Sequence, residues 1–101
     1  MEYRVVISDR AKQMLGQHIH FLSQVNKSAA VELKKRFVEE FRSLRFLPQR
    51  YPFLYADFIP PNKYHKLTVK NWFLVLYQIR DDTVYVDWVI DCRRDYEWLL
   101  K

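Results

Sequence analysis

Glycine and cysteine are almost absent from this 101-residue sequence, with one of each, and proline occupies only four positions. A single glycine, Gly16, cannot build a phosphate-cradling loop, which removes the mononucleotide and dinucleotide motifs that depend on one. A single cysteine, Cys92, cannot close an internal disulfide, and it has no evident histidine partner that would make it a nucleophile. Nowhere does the chain sustain the run of about 18 apolar residues that a membrane span requires. Its start, Met1-Glu2-Tyr3-Arg4, lacks the charged, apolar and small-residue series of a signal peptide, so a cytoplasmic location is expected. Histidines are few as well. His18 and His20 stand two apart, which on a helix points them to different faces and denies them a shared metal; neither a metal nor a cofactor is expected.

What is present is apolar and basic. Hydrophobic residues make up 50% and aromatics 17% of the chain, enough for one core, and a single domain over residues 1–101 is expected. The net charge is +5, and it is uneven: residues 1–50 hold ten Lys and Arg against five Asp and Glu, and the remainder holds seven of each. Such a balance favours an anionic partner, either nucleic acid or an acidic protein segment. The run Lys34-Lys35-Arg36 reads as a solvated helix face.

The pattern of apolar positions sets the elements. Tyr3, Val5 and Ile7 suggest a short strand, and Ser8 and Asp9 supply a helix cap. Ala11, Leu15, Ile19, Leu22 and Val25 then follow steps of three and four along one helical stripe, which Gly16 weakens by about 1 kcal/mol relative to alanine. Asn26-Lys27-Ser28 breaks the pattern and caps a second helix, whose stripe is Ala30, Leu33, Phe37, Phe41 and Leu44. That helix should end by Leu47-Pro48. Two helices so closely joined form an antiparallel hairpin. Residues 48–63 hold all four prolines and read as a structured connection with aromatic anchors. Three strands follow, at Tyr64–Val69, Trp72–Ile79 and Thr83–Ile90, with turns at Lys70-Asn71 and Arg80-Asp81-Asp82. The middle one is apolar on both sides and should be central and covered on each face. In the last, Val84, Val86, Trp88 and Ile90 should share one face, with Tyr85, Asp87 and Val89 on the other. The fold class is α+β: an N-terminal strand, a helical hairpin, then antiparallel strands against which the hairpin packs.

Four phrases together resemble the RelE/ParE toxin superfamily, in its ParE or plasmid-stabilisation branch. They are Tyr3-Arg4-Val5-Val6-Ile7-Ser8 before a helix, Phe41 through Pro52 at the end of the second helix, Tyr64 through Tyr77, and Val84-Tyr85-Val86 continuing through Val89 to Tyr96. The resemblance spans nearly the whole chain. It implies a growth-inhibiting toxin of a type II toxin–antitoxin module, held in a hetero-oligomer by a cognate antitoxin. It implies two modes of action: interference with a replication target such as DNA gyrase, or cleavage of mRNA on the ribosome by a metal-independent endoribonuclease. A third reading is a non-toxic nucleic-acid-binding or regulatory domain.

Metal-free RNA cleavage needs a base, cations for the phosphorane and a proton donor for the leaving oxygen. His65 and Arg93 are the candidates for catalysis, and Lys63, Lys66, Arg80, Arg93, Arg94 and Tyr96 for gripping a target or antitoxin. His65 also fits a half-buried strand residue with a satisfied imidazole. The sequence departs from the nucleases in two places. Leu74 stands where they carry an arginine on the central strand, and Asp91 or Cys92 where YoeB-like members carry a histidine. These departures favour the binding mode over cleavage. Arg93 and Arg94, at a strand end, can clamp partner carboxylates. Tyr96, Trp98, Leu99 and Leu100 form an apolar tail that packs on the domain or lies beside the antitoxin.

Overall fold

A computed structural model of the chain describes residues 2–57 and 59–92. The element order is β1 (Arg4–Ile7), α1 (Asp9–Val25), α2 (Lys27–Ser43), a 3-10 turn (Pro48–Arg50), β2 (His65–Val69), β3 (Phe73–Arg80) and β4 (Thr83–Asp91). This is the expected succession of strand, helical hairpin and three strands. The strands form one sheet in the order β1-β4-β3-β2. The closing strands are antiparallel to one another, whereas β1 runs parallel to β4. A parallel neighbour needs a long crossover, which the helical hairpin supplies.

The helix boundaries follow from side-chain chemistry. Ser8 Oγ accepts from the Ala11 amide at 3.0 Å and caps α1. Asn26 closes one helix and opens the next: its backbone amide donates to Leu22, and its side chain accepts from the Ala29 amide at 3.1 Å. One residue thereby folds the hairpin. Helix α2 stops at Ser43, earlier than Leu47, and Arg50 gathers the carbonyls of its end, donating to the oxygens of Ser43, Phe46 and Leu47. Both turns fall where expected. Lys70 and Asn71 adopt φ of 52° and 60°, and Asp81 adopts φ of 54°. These are left-handed conformations that asparagine and aspartate tolerate and that match the twist of a tight hairpin.

The hairpin covers one face of the sheet. Leu33, Phe37 and Phe41 of α2, with its C-cap Leu44, meet Leu67, Val69, Phe73, Val75, Tyr77, Val84, Val86 and Val89 in the main core. The opposite face is covered by the connection before β2, where Tyr64, Leu54 and Ile59 pack on Leu74, Leu76 and Ile90. β3 is therefore central and covered on both sides, as its apolar run implies.

Strict alternation fails in β4. Leu76 pairs with Trp88 but Tyr77 with Val86, so Asp87 is an extra residue bulged from the ladder. Beyond it every side chain changes face. Val89 joins Val84 and Val86 in the main core, and Trp88 and Ile90 pass to the other cluster, the reverse of the simple two-residue period.

Candidate functional site

The candidate residues divide between the two faces of the sheet. His65 keeps phase with Leu67 and Val69, which puts it on the core side. Its residue is 7% exposed, and its Nδ1 donates to the Tyr51 carbonyl at 2.7 Å. The ring lies between Phe53, 4.1 Å away between centroids, and Tyr77, stacked at 5.2 Å. Tyr77 is fully buried and its hydroxyl donates to the Pro48 carbonyl at 2.6 Å. Burial pushes the Tyr77 phenol well above the usual tyrosine range, against the opposing pull of the nearby Arg50 charge. This row of rings pins the connection to the sheet. It holds His65 by packing and a backbone acceptor.

Lys66 and Arg80 lie on the other side. Lys66 stands opposite Leu76, which in turn stands opposite Trp88. Arg80 stands opposite Thr83, and Thr83 opposite Arg4. Two exposed arginines therefore flank one threonine across three adjacent strands. Lys63 projects over the Tyr64 ring, with its Nζ 5.3 Å from the centroid. Lys66 and Arg80 thus share the face turned away from the hairpin, and Lys63 lies beside Tyr64, which packs on that face. Arg93, Arg94 and Tyr96 lie outside the described residues, as does the apolar tail.

The same face holds a cluster that the alternation reading did not contain. The Arg10 guanidinium sits 3.6 Å above the Trp88 ring centroid, and its Nε donates to the Asp87 carbonyl at 3.2 Å. Gln78 donates to the Asp87 carboxylate at 2.7 Å. The Tyr64 phenol is raised above its ordinary value, first by burial; its hydrogen bond with Trp88 opposes this and the Asp87 charge adds to it. The bulge creates the cluster by turning Trp88 outward and freeing the Asp87 carbonyl. A signal for Arg10 did exist in the sequence. A cation in the first turn opposes the helix dipole at a cost of about 0.3–1 kcal/mol, which contacts elsewhere can offset. Trp88 and the Asp87 carbonyl supply those contacts.

Chemically, this face offers guanidinium and ammonium groups among aromatic rings. The Asp87 carboxylate is engaged by Gln78, and the imidazole of His65 is on the other side. Leu74 is 8% exposed beneath the connection, in an apolar cluster with Tyr64, Leu76 and Ile90. Among the described residues no group of three or more His, Cys, Asp or Glu could hold a metal ion. No described helix is long and apolar enough to cross a membrane. The arrangement is suited to gripping an anionic surface.

No family model matches the sequence, and no curated protein matches it. A likeness does exist among solved structures. A chain from the chromosomal ParDE TA system of P. aeruginosa superposes with a TM-score of 0.69 at 13% identity, covering 89% of this chain and 96% of that one. At this identity the likeness is one of fold, and it extends over nearly the whole of both chains: the protein has a ParE/RelE-like α+β fold.

Proposed function

We propose that this chain is the toxin of a type II toxin–antitoxin pair, acting in the cytoplasm by binding a replication target such as DNA gyrase and silenced by a cognate antitoxin. The fold and the four sequence phrases support the toxin assignment. One observation carries the preference for binding over cleavage: Leu74, at the strand position where the nucleases carry arginine, is roofed by Leu54, Ile59 and Tyr64. A phosphorane at that point would face hydrocarbon, with its charge uncompensated. The sequestered His65 weighs the same way, since a general base must reach the proton it removes.

In this reading Lys63, Lys66 and Arg80, with Arg4 and Arg10, present a cationic face to the target. Arg93 and Arg94 would clamp carboxylates of the antitoxin or target, with Tyr96 as a further binding residue. The cations and rings of the sheet face also favour a second reading, mRNA cleavage on the ribosome, with Arg93 as its remaining catalytic cation.

Induction of the chain alone in a bacterium tests the assignment. Growth arrest with intact messages and impaired supercoiling is the expected result. Messages cut at ribosome-positioned codons would select the nuclease. Unimpeded growth would select a non-toxic domain. Arg93→Ala and Arg94→Ala are each expected to weaken antitoxin binding by about 1–3 kcal/mol if the pairs they make are buried.

A further inference from the structure

Leu47 is the one apolar residue with a left-handed backbone among the described residues, at φ 47° and ψ 55°. The others, Asn62, Lys70, Asn71 and Asp81, are polar and lie in turns. A β-carbon crowds the backbone in that conformation, which glycine, asparagine and aspartate bear best. Leucine does not, and a residue before proline is further biased toward extended angles. Burial offers no compensation: Leu47 is 72% exposed, and Phe46 beside it is 57% exposed. Two large apolar side chains thus stand together in solvent beyond the end of α2, on a backbone that glycine would suit better. The folding of the isolated chain gains from neither.

The backbone beneath them is held from several sides. Arg50 donates to the carbonyls of Ser43, Phe46 and Leu47, and to Ser43 Oγ at 2.8 Å. The Tyr77 hydroxyl donates to the next carbonyl, that of Pro48, and Gln49 donates to the Tyr3 hydroxyl. The knuckle is therefore formed before any partner arrives, which spares binding the cost of ordering it. Its surroundings carry one sign of charge. Between Glu40 and Asp57 the chain has three arginines, Arg42, Arg45 and Arg50, and no acidic residue. Arg45 pairs with Glu2, but Arg42 has no ion-pair partner among the described residues, and Arg50 is engaged by neutral acceptors. The Arg45 carbonyl accepts from the Tyr3 amide at 2.8 Å, which places the knuckle next to the start of β1, where Arg4 begins the cationic face.

We infer that Phe46 and Leu47 form a rigid apolar anchor that enters a carboxylate-rimmed pocket on the protein target. The inference rests on the toxin reading for the identity of the partner. Strain under an exposed apolar side chain marks a residue type that contact, and not folding, accounts for. Phe46 and Leu47 supply the apolar area of that contact. Arg42 and Arg50 supply the charges that meet its rim.

The test sets stability against growth arrest in variants of the whole chain. Leu47→Gly relaxes the backbone, so its Tm should equal or exceed that of the wild type while growth arrest on induction is lost. Its affinity for purified DNA gyrase should fall at least tenfold. Phe46→Ser should act alike, and Leu47→Met, which keeps the apolar side chain, should remain toxic. Arg42→Glu should weaken binding more at low salt than at high. Full growth arrest by Leu47→Gly and Phe46→Ser would overturn the inference. So would a Tm of Leu47→Gly well below the wild type, which would assign the leucine to the fold. Weakened affinity for the antitoxin alone would assign the knuckle to that partner and overturn it too, as would leucine-dependent binding to vesicles of phosphatidylcholine and phosphatidylglycerol. A wild-type chain that arrests growth without binding gyrase counts against gyrase only, and growth arrest then decides the knuckle. A wild-type chain that leaves growth unimpeded removes the toxin reading and the anchor with it.

Discussion

Removing one oxygen atom, in Tyr77→Phe, separates the hydrogen-bonding role of the aromatic row from its packing role. The ring of Tyr77 is fully buried, so phenylalanine keeps the apolar contacts. What is lost is the 2.6 Å bond to the carbonyl of Pro48, itself a buried residue. A buried acceptor stripped of its donor costs about 1–2 kcal/mol. For a domain of this size that lowers Tm by about 4–16 °C. Urea unfolding followed by circular dichroism should show a lower midpoint with an unchanged slope, because the surface exposed on unfolding is the same. The sign with pH follows from the raised phenol. Above about pH 10 the unfolded chain loses this proton while the folded chain keeps it, so stability falls with rising pH by up to about 1.4 kcal/mol per unit. Tyr77→Phe lacks that share of the slope. A variant as stable as the wild type at pH 7, with the same alkaline slope, would refute the view that this hydroxyl holds the connection to the sheet.

Three other substitutions probe the same architecture. His65→Ala removes a ring packed between Phe53 and Tyr77 and is expected to cost about 2–4 kcal/mol. Its toxicity should track the folded fraction seen by circular dichroism, and a fully folded but harmless variant would restore His65 as a functional group. Arg50→Ala releases the carbonyls at the end of α2 and should cost about 0.5–1.5 kcal/mol, read from the urea midpoint. Gly16→Ala should stabilise the isolated chain by about 1 kcal/mol, and a loss of stability would mean that an intramolecular neighbour needs the space.

Much of the fold was legible because burial on one side of an element leaves a periodic trace. The stripes of α1 and α2 carry it; the unbroken apolar run of β3 marks burial on both faces, and Asn71 and Asp81 mark the turns by residue type. His65 was legible in the same way, since it alternates with Leu67 and Val69. The partner of β1 was not, because no local pattern distinguishes a parallel neighbour from an antiparallel one. The bulge at Asp87 was hidden for a different reason. Both faces of β4 are covered beyond that point, so Val89 on one side and Trp88 and Ile90 on the other are all apolar, and either phase satisfies the pattern. The candidate site inherits that ambiguity: Arg10 and Trp88 meet only once the strand has slipped by a residue.

The bulge also constrains how a partner can attach. β1 pairs with β4 only as far as Val86. From there α1 takes over the edge with side chains. Ser8 Oγ and Arg10 Nε donate to the Asp87 carbonyl, and His18 Nε2 donates to the Val89 carbonyl at 2.9 Å. Those acceptors would otherwise invite an added strand, and engaging them closes that stretch of the sheet to strand addition. A partner approaching from the α1 side therefore meets helix rather than open strand, and its grip there must come from side chains. The cationic ring cluster around Arg10 and Trp88 can provide one.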